Sequence, residues 1–195
     1  MKKVQSKRLA TQVERLERDL LKSKKQLARL RQSIPPREVG EYAFTTFSGG
    51  KVKLSKLFGS SSELTVVHNM GKSCPYCTMW ADGFNGVYQH LENRAPFVVI
   101  SPDEHRIQKK FAQGRGWKFK MVSAHGTSFF KDMGFENKSG HPQPGVSTFR
   151  RDGDGRMYQV SKTSFGPGDD FCSVWHFLDL LPNGKAGWEP KYKYR

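Results

Sequence analysis

Residues 63–68 (Glu-Leu-Thr-Val-Val-His) form a short apolar run, and six residues further on Cys74-Pro75-Tyr76-Cys77 opens a stretch with helical spacing. A run of this length before Asn69-Met70-Gly71 reads as a buried strand. Pro75 suits the first turn of a helix, where its missing N–H has no helical partner to lose. The chain must therefore carry two cysteines, one turn apart, at a junction where a strand gives way to a helix. That requirement limits the fold more than any other feature of the sequence.

The segments around the junction obey the same alternation. Residues 42–47 and 51–54 flank Ser48-Gly49-Gly50 and read as a β-hairpin, followed by one helical turn over 54–58 closed by Gly59. The helix after the cysteines is expected to run from about Tyr76 to about Leu91. Residues 97–100 make a second apolar strand, and Pro102, Asp103 and Glu104 start a helix ending near Gly114. A short strand over 119–122 comes next. Residues 145–149 and 156–160 form a second hairpin around Asp152-Gly153-Asp154-Gly155, and a closing helix over 169–181 stops at Pro182. Strands alternating with helices pair in parallel, and the late hairpin adds an antiparallel edge. The expected fold is α/β, a thioredoxin-like sandwich over residues 37–195 with a mixed central sheet flanked by helices.

Residues 1–36 follow a different period. Leu9, Val13, Leu16, Leu20, Ser23, Leu27, Leu30 and Ile34 recur in steps of four and three, a heptad seam that Pro35-Pro36 terminates. The segment through Ser33 holds eleven Lys and Arg against three acidic residues, over half of the net charge of +15. An amphipathic basic helix is expected, its seam covered by a second copy in a homodimer or by the domain that follows. It has no aromatic side chain on which a base could stack, so nucleic acid is not an expected partner. No run of about 18 apolar residues occurs, so no membrane span is expected. The N-terminus lacks the apolar stretch of a secretory signal, so a cytoplasmic location is expected.

Only three cysteines occur in 195 residues, too few for a disulfide framework. A cysteine at a helix start meets unpaired N–H groups that favour its thiolate. Cys74 is thus the expected nucleophile and Cys77 the resolving thiol, in exchange with a protein or small-molecule thiol or disulfide and without a cofactor. Lys72 could add positive charge; Tyr76, Trp80 and Asp82 lie on the same helix, and Asp82 could accept a proton or be a solvated carboxylate. Two alternatives stand beside this one. The domain could be a non-enzymatic partner-binding module, or Cys74, Cys77, Cys172 and His176 could form a zinc site, although 94 residues separate its two halves. His68 could tune the thiolate or be a hydrogen-bonded core histidine, and His105 and His125 are expected at the surface. Arg115, Trp117, Lys118 and Lys120 could bind an anionic substrate or form a loop with one anchoring tryptophan. Asp152 to Gly155 is a turn, because the twelfth position of a calcium loop would be Thr163.

Several stretches carry a family resemblance: His68-Asn69-Met70-Gly71, Cys74-Pro75-Tyr76-Cys77-Thr78-Met79-Trp80-Ala81-Asp82-Gly83, Gly116-Trp117-Lys118-Phe119, Val122-Ser123, Phe129 and Leu178-Asp179-Leu180-Leu181-Pro182-Asn183-Gly184. With the preceding basic helix they resemble the thioredoxin-like family known as domain of unknown function 899. The resemblance implies a thioredoxin-like fold and a dithiol–disulfide oxidoreductase activity. More distantly, residues 52–59 before the strand and cysteine pair are similar to the opening of peroxiredoxin-like and thiol-reductase domains, and Pro75-Tyr76 resembles the glutaredoxin dipeptide. Gly71, three residues before Cys74, is not the Thr or Pro with which peroxiredoxins activate peroxide. Thioredoxin-like enzymes also place a cis-proline beside the cysteines, where the resemblance puts Ser147. A trans bond is expected there, since a non-proline cis bond costs about 2.5–4 kcal/mol.

Overall fold

A computed structural model describes residues 2–194, with side chains from Gln5 onward. The chain divides into two units, residues 1–35 and 36–195. The first contains a single helix, α1 (Lys2–Ser33), whose polar side carries the i,i+4 ion pairs Arg15–Asp19 and Glu14–Arg18. No helix among the described residues is long and apolar enough to cross a membrane.

The second unit is built on one eight-stranded sheet. Its strands are β1 (Arg37–Val39), β2 (Ala43–Thr45), β3 (Lys51–Lys53), β4 (Glu63–His68), β5 (Phe97–Ser101), β6 (Lys120–Ser123), β7 (Gly145–Arg151) and β8 (Met157–Ser164). Their order across the sheet is β1-β8-β7-β4-β5-β6-β2-β3. β4, β5 and β6 pair in parallel, and the remaining pairs are antiparallel. The helices are α2 (Leu54–Leu57), α3 (Pro75–Arg94), α4 (His105–Arg115), α5 (Phe129–Asp132) and α6 (Ser173–Asp179). Every residue of β5 is buried, as expected of a parallel strand covered on both faces.

Side chains alternate between two separate cores. Leu64, Val66, Val98 and Ile100 face one, with Phe129, Phe130 and Phe135. Val67, Phe97, Val99 and Met121 face the other, with Cys77, Trp80 and Phe84 from α3. Because the strand period is two, a residue's core is fixed by its register. Ser147 pairs with Val66 and Val146 with Val67, so these neighbours on β7 serve opposite faces.

Several boundaries differ from expectation. The closing helix begins at Ser173 rather than 169, because the Asp169 carboxylate accepts hydrogen bonds from the amides of Gly166 and Phe171 and holds a loop there. β1 was not foreseen: three residues show no readable period, and its place depends on pairing with β8. α4 ends at Gly116, whose φ of 69° supplies the left-handed cap. All peptide bonds of the described residues are trans, including the one before Ser147.

Candidate functional site

The loop from β4 to α3 is held by side chains that its sequence supplies. Asn69 is buried; its Oδ1 accepts from the Gly71 amide at 2.8 Å and its Nδ2 donates to the Cys77 carbonyl at 3.3 Å. Gly71 turns the chain at φ 98° and its carbonyl accepts from the Cys74 amide at 3.2 Å. The Lys72 amide donates to Asp103 Oδ2 at 2.7 Å, which ties the loop to the segment after β5. The hydroxyl of Thr78 donates to the Cys74 carbonyl at 3.0 Å. The cysteines therefore sit on a braced turn.

Cys74 is the N-cap of α3, with Pro75 in the first turn. Its sulfur accepts the Cys77 amide at 3.1 Å, one of the donors that a helix start leaves unpaired. The Cys77 sulfur, in turn, accepts the Met70 amide at 3.4 Å. Both thiols are free; Cys74 is partly exposed and Cys77 is 1% exposed. A hydrogen bond from the Cys77 thiol, aided by the Cys77 amide and opposed by partial burial, brings the Cys74 pKa from 9.0 to about 7. The same thiol–thiolate bond, then burial and the charge on Cys74, raises Cys77 well above the ordinary thiol range. One sulfur is thus prepared as a thiolate while the other retains its proton.

The other residues singled out from sequence have varied placements. Tyr76 stacks on Trp175 at 5.9 Å and lies tilted to Trp80 at 6.1 Å, which makes an aromatic wall next to the cysteines. Trp80 is buried and its Nε1 donates to Asp169 Oδ1 at 3.3 Å. Asp82 is exposed, as a solvated helix carboxylate would be, but it is paired rather than free. It accepts from the Arg115 guanidinium and, at 2.8 Å, from Trp117 Nε1. That engagement also occupies much of the proposed basic-aromatic cluster; Trp117 stacks on Phe119 at 5.6 Å as an anchor.

Ser147 is not a neighbour of the cysteines. It faces the opposite side of the sheet from Cys77, where its hydroxyl bonds His68 Nε2 at 3.0 Å and accepts from Gln159 Nε2 at 2.9 Å. Val146, one residue earlier, packs against the core that contains Cys77. His68 follows Ser147: fully buried, it stacks on Phe135 and Phe129 at 3.9 and 5.4 Å, away from the thiols. Burial, with a lesser contribution from Lys162, lowers its pKa to about 3, so the ring is neutral. Cys172 occupies the N-cap position of α6, with no capping bond from its side chain, and His176 lies 3.8 Å from Asp170. Among the described residues no three His, Cys, Asp or Glu side chains gather closely enough to hold a metal ion, so the four zinc candidates are not brought together.

Asn69, Asp103 and Val146 support the site but were not assigned to it from sequence. An Asn at a strand end, two residues before a glycine, is a turn signal that could have marked Asn69. Asp103 and Val146 depend on packing across the sheet, which no local pattern reveals.

The family model described as "Bacterial protein of unknown function (DUF899)" matches residues 4–194. The chain belongs to the DUF899 family. None of the curated proteins matches this DUF899 chain. Among solved structures it is similar to a peroxidoxin, BcpB, from Mycobacterium tuberculosis, at 25% identity and TM-score 0.54 over 66% of this chain and 84% of that one. It is also similar to reduced Prx3 from Vibrio vulnificus, solved in complex with hydrogen peroxide, at 13% identity and TM-score 0.55 over 68% and 88%. A mitochondrial 2-Cys peroxiredoxin from Plasmodium falciparum matches at 14% identity and TM-score 0.52 over 78% and 96%. This DUF899 member thus has the thioredoxin-like fold found in peroxiredoxins, with a cysteine pair at the start of its third helix.

Proposed function

We propose that this protein is a thiol–disulfide oxidoreductase in which Cys74 is the nucleophile and Cys77 the resolving thiol. The observation that carries the reading is the unequal state of the two sulfurs: Cys74 partly exposed with a pKa of about 7, Cys77 buried and protonated. The Cys74 thiolate attacks one sulfur of a protein or small-molecule disulfide. A Cys74–substrate disulfide forms, the substrate S–S bond breaks, and the leaving thiolate takes a proton from water.

Once Cys74 is bonded to the substrate it bears no charge. The thiol–thiolate bond and repulsion that raised Cys77 are then gone, and Cys77 can lose its proton and attack Cys74. The second substrate thiolate leaves, and a Cys74–Cys77 disulfide remains. The substrate has gained two electrons and the cysteine pair has lost two; a thiol reductant returns the pair to its starting state. The test is Cys77→Ser, which is expected to accumulate a mixed disulfide on Cys74. No adduct with any disulfide offered would remove the reading.

A second reading, thiol peroxidase, is favoured by the 25% identity to a peroxidoxin. Here the Cys74 thiolate attacks the O–O bond, giving a sulfenic acid and water. Gly71 provides no hydroxyl near the sulfur for activating peroxide. A dimedone adduct on Cys77→Ser after hydrogen peroxide treatment, formed faster than on a free thiol, distinguishes this chemistry from exchange.

A further inference from the structure

A cleft of about 720 Å³ adjoins the turn that carries Cys74, lined by Lys72, Lys110, Phe111, Arg115, Tyr192 and Lys193 among others. No acidic side chain among the described residues lines it. Arg115 is committed: its guanidinium bonds Asp82 and donates to the Tyr192 carbonyl at 2.6 Å. Lys72, Lys110 and Lys193 have no ion pair among the described residues. Lys110 is shared with a neighbouring cleft of about 530 Å³, where Arg106 and Lys109 continue the cationic band along α4, again with no acidic lining among the described residues.

The position of this band relative to the sulfurs gives it meaning. Lys72 belongs to the Gly71–Cys74 turn, fixed through Asp103. Tyr192 forms another wall of the same cleft, and its backbone carbonyl accepts from Arg115. Phe111 and Tyr192 meet edge to face at 6.3 Å and supply an apolar side. A ligand held here would have negative charge matched to three lysines, a short apolar body, and an end near Cys74.

We propose that the substrate is a low-molecular-weight disulfide bearing several anionic groups, carboxylates or phosphates, held by Lys72, Lys110 and Lys193 while Cys74 attacks its sulfur. This rests on the exchange reading above and names the substrate class for the same site. A cleft lined by one sign of charge raises the local concentration of its counter-charged ligand, with rate gains of about 10–10³ that fall with salt.

The test measures second-order rates of the reduced protein with oxidised glutathione, coenzyme A disulfide, 2-hydroxyethyl disulfide and cystamine, each normalised to the rate of dithiothreitol with the same disulfide. The first two carry carboxylates and phosphates, the third is neutral and the fourth cationic. Wild-type protein should favour at least one anionic disulfide over the neutral one about tenfold at low salt, and the faster of the two identifies the anion. The triple variant Lys72→Gln/Lys110→Gln/Lys193→Gln should lose that preference. A control triple of equal charge, Lys53→Gln/Lys56→Gln/Lys138→Gln, should keep it, which separates the cleft from the overall positive charge. Reaction with the neutral disulfide but no anionic preference, or equal loss in both triples, overturns the substrate assignment alone. No reaction with any of the four overturns it together with the exchange reading.

Discussion

The backbone amide of Cys77 lies 3.1 Å from the sulfur of Cys74, so Cys77 stabilises a charge on its neighbour before taking part in any bond. Its thiol does so more strongly still. The two contributions can be separated, because a side-chain substitution leaves the amide in place.

Alkylation of Cys74 by iodoacetamide should rise with pH and reach half its plateau near pH 7, since the thiolate is the reacting form. Mass spectrometry at neutral pH should show modification of Cys74 and sparing of Cys77, which is buried and keeps its proton. In Cys77→Ala the thiol donor is lost and the midpoint should move up, slowing alkylation at pH 7. An unchanged midpoint would assign the lowered pKa to the amide alone.

Glycine at position 71 is required twice. Its φ of 98° disfavours a side chain, and a Cβ there would strike the Asp103 carboxylate that holds the Lys72 amide. Gly71→Ala should cost about 1–2 kcal/mol in urea unfolding. It should also slow Cys74 alkylation as the braced turn loosens.

Asp82→Asn separates a structural from a catalytic carboxylate. The charge partner of Arg115 and an acceptor for Trp117 are weakened, so stability should fall by about 1 kcal/mol, kept modest by partial exposure. The rate of Cys74 with 2-hydroxyethyl disulfide should stay within a factor of two. A larger loss of rate with normal stability would return Asp82 to the proton-transfer path.

His68 links acidity to stability with a fixed sign. In the unfolded chain the imidazole titrates near 6.5; in the fold it stays neutral to about 3. The unfolded state therefore gains a proton first as pH falls, and stability is lost between those two values. From pH 7.5 to 5.0 this residue should remove about 2 kcal/mol. A His68→Phe variant, compared by urea unfolding at both pH values, should show a smaller decline by about that amount.

The fold was legible wherever the period was strong and local. β4 and β5 are apolar runs bounded by turn residues, and Pro75 marks the start of α3, so alternation alone suggested a thioredoxin-like sheet. The late start of α6 was not legible, because the Asp169 side chain competes with a helix that the hydrophobic pattern allows. Around the cysteines, Cys74, Pro75 and Tyr76 are adjacent in the chain, and their grouping follows from one helical turn. Ser147 and Val146 differ by one position, yet only register across β4 decides which faces Cys77. The pairing of Asp82 was not legible for a related reason: its partners Arg115 and Trp117 lie 33 and 35 residues away. Residues whose environment depends on distant strands and helices carry no mark of it in their neighbours.

The difference in burial between Cys74 and Cys77 sets a kinetic rule for any turnover at this pair. Oxidant and reductant must use one doorway, in single file, because the inner sulfur has no entrance of its own. Double-reciprocal plots at several fixed concentrations of the second partner should give parallel lines, and each partner in large excess should obstruct the other.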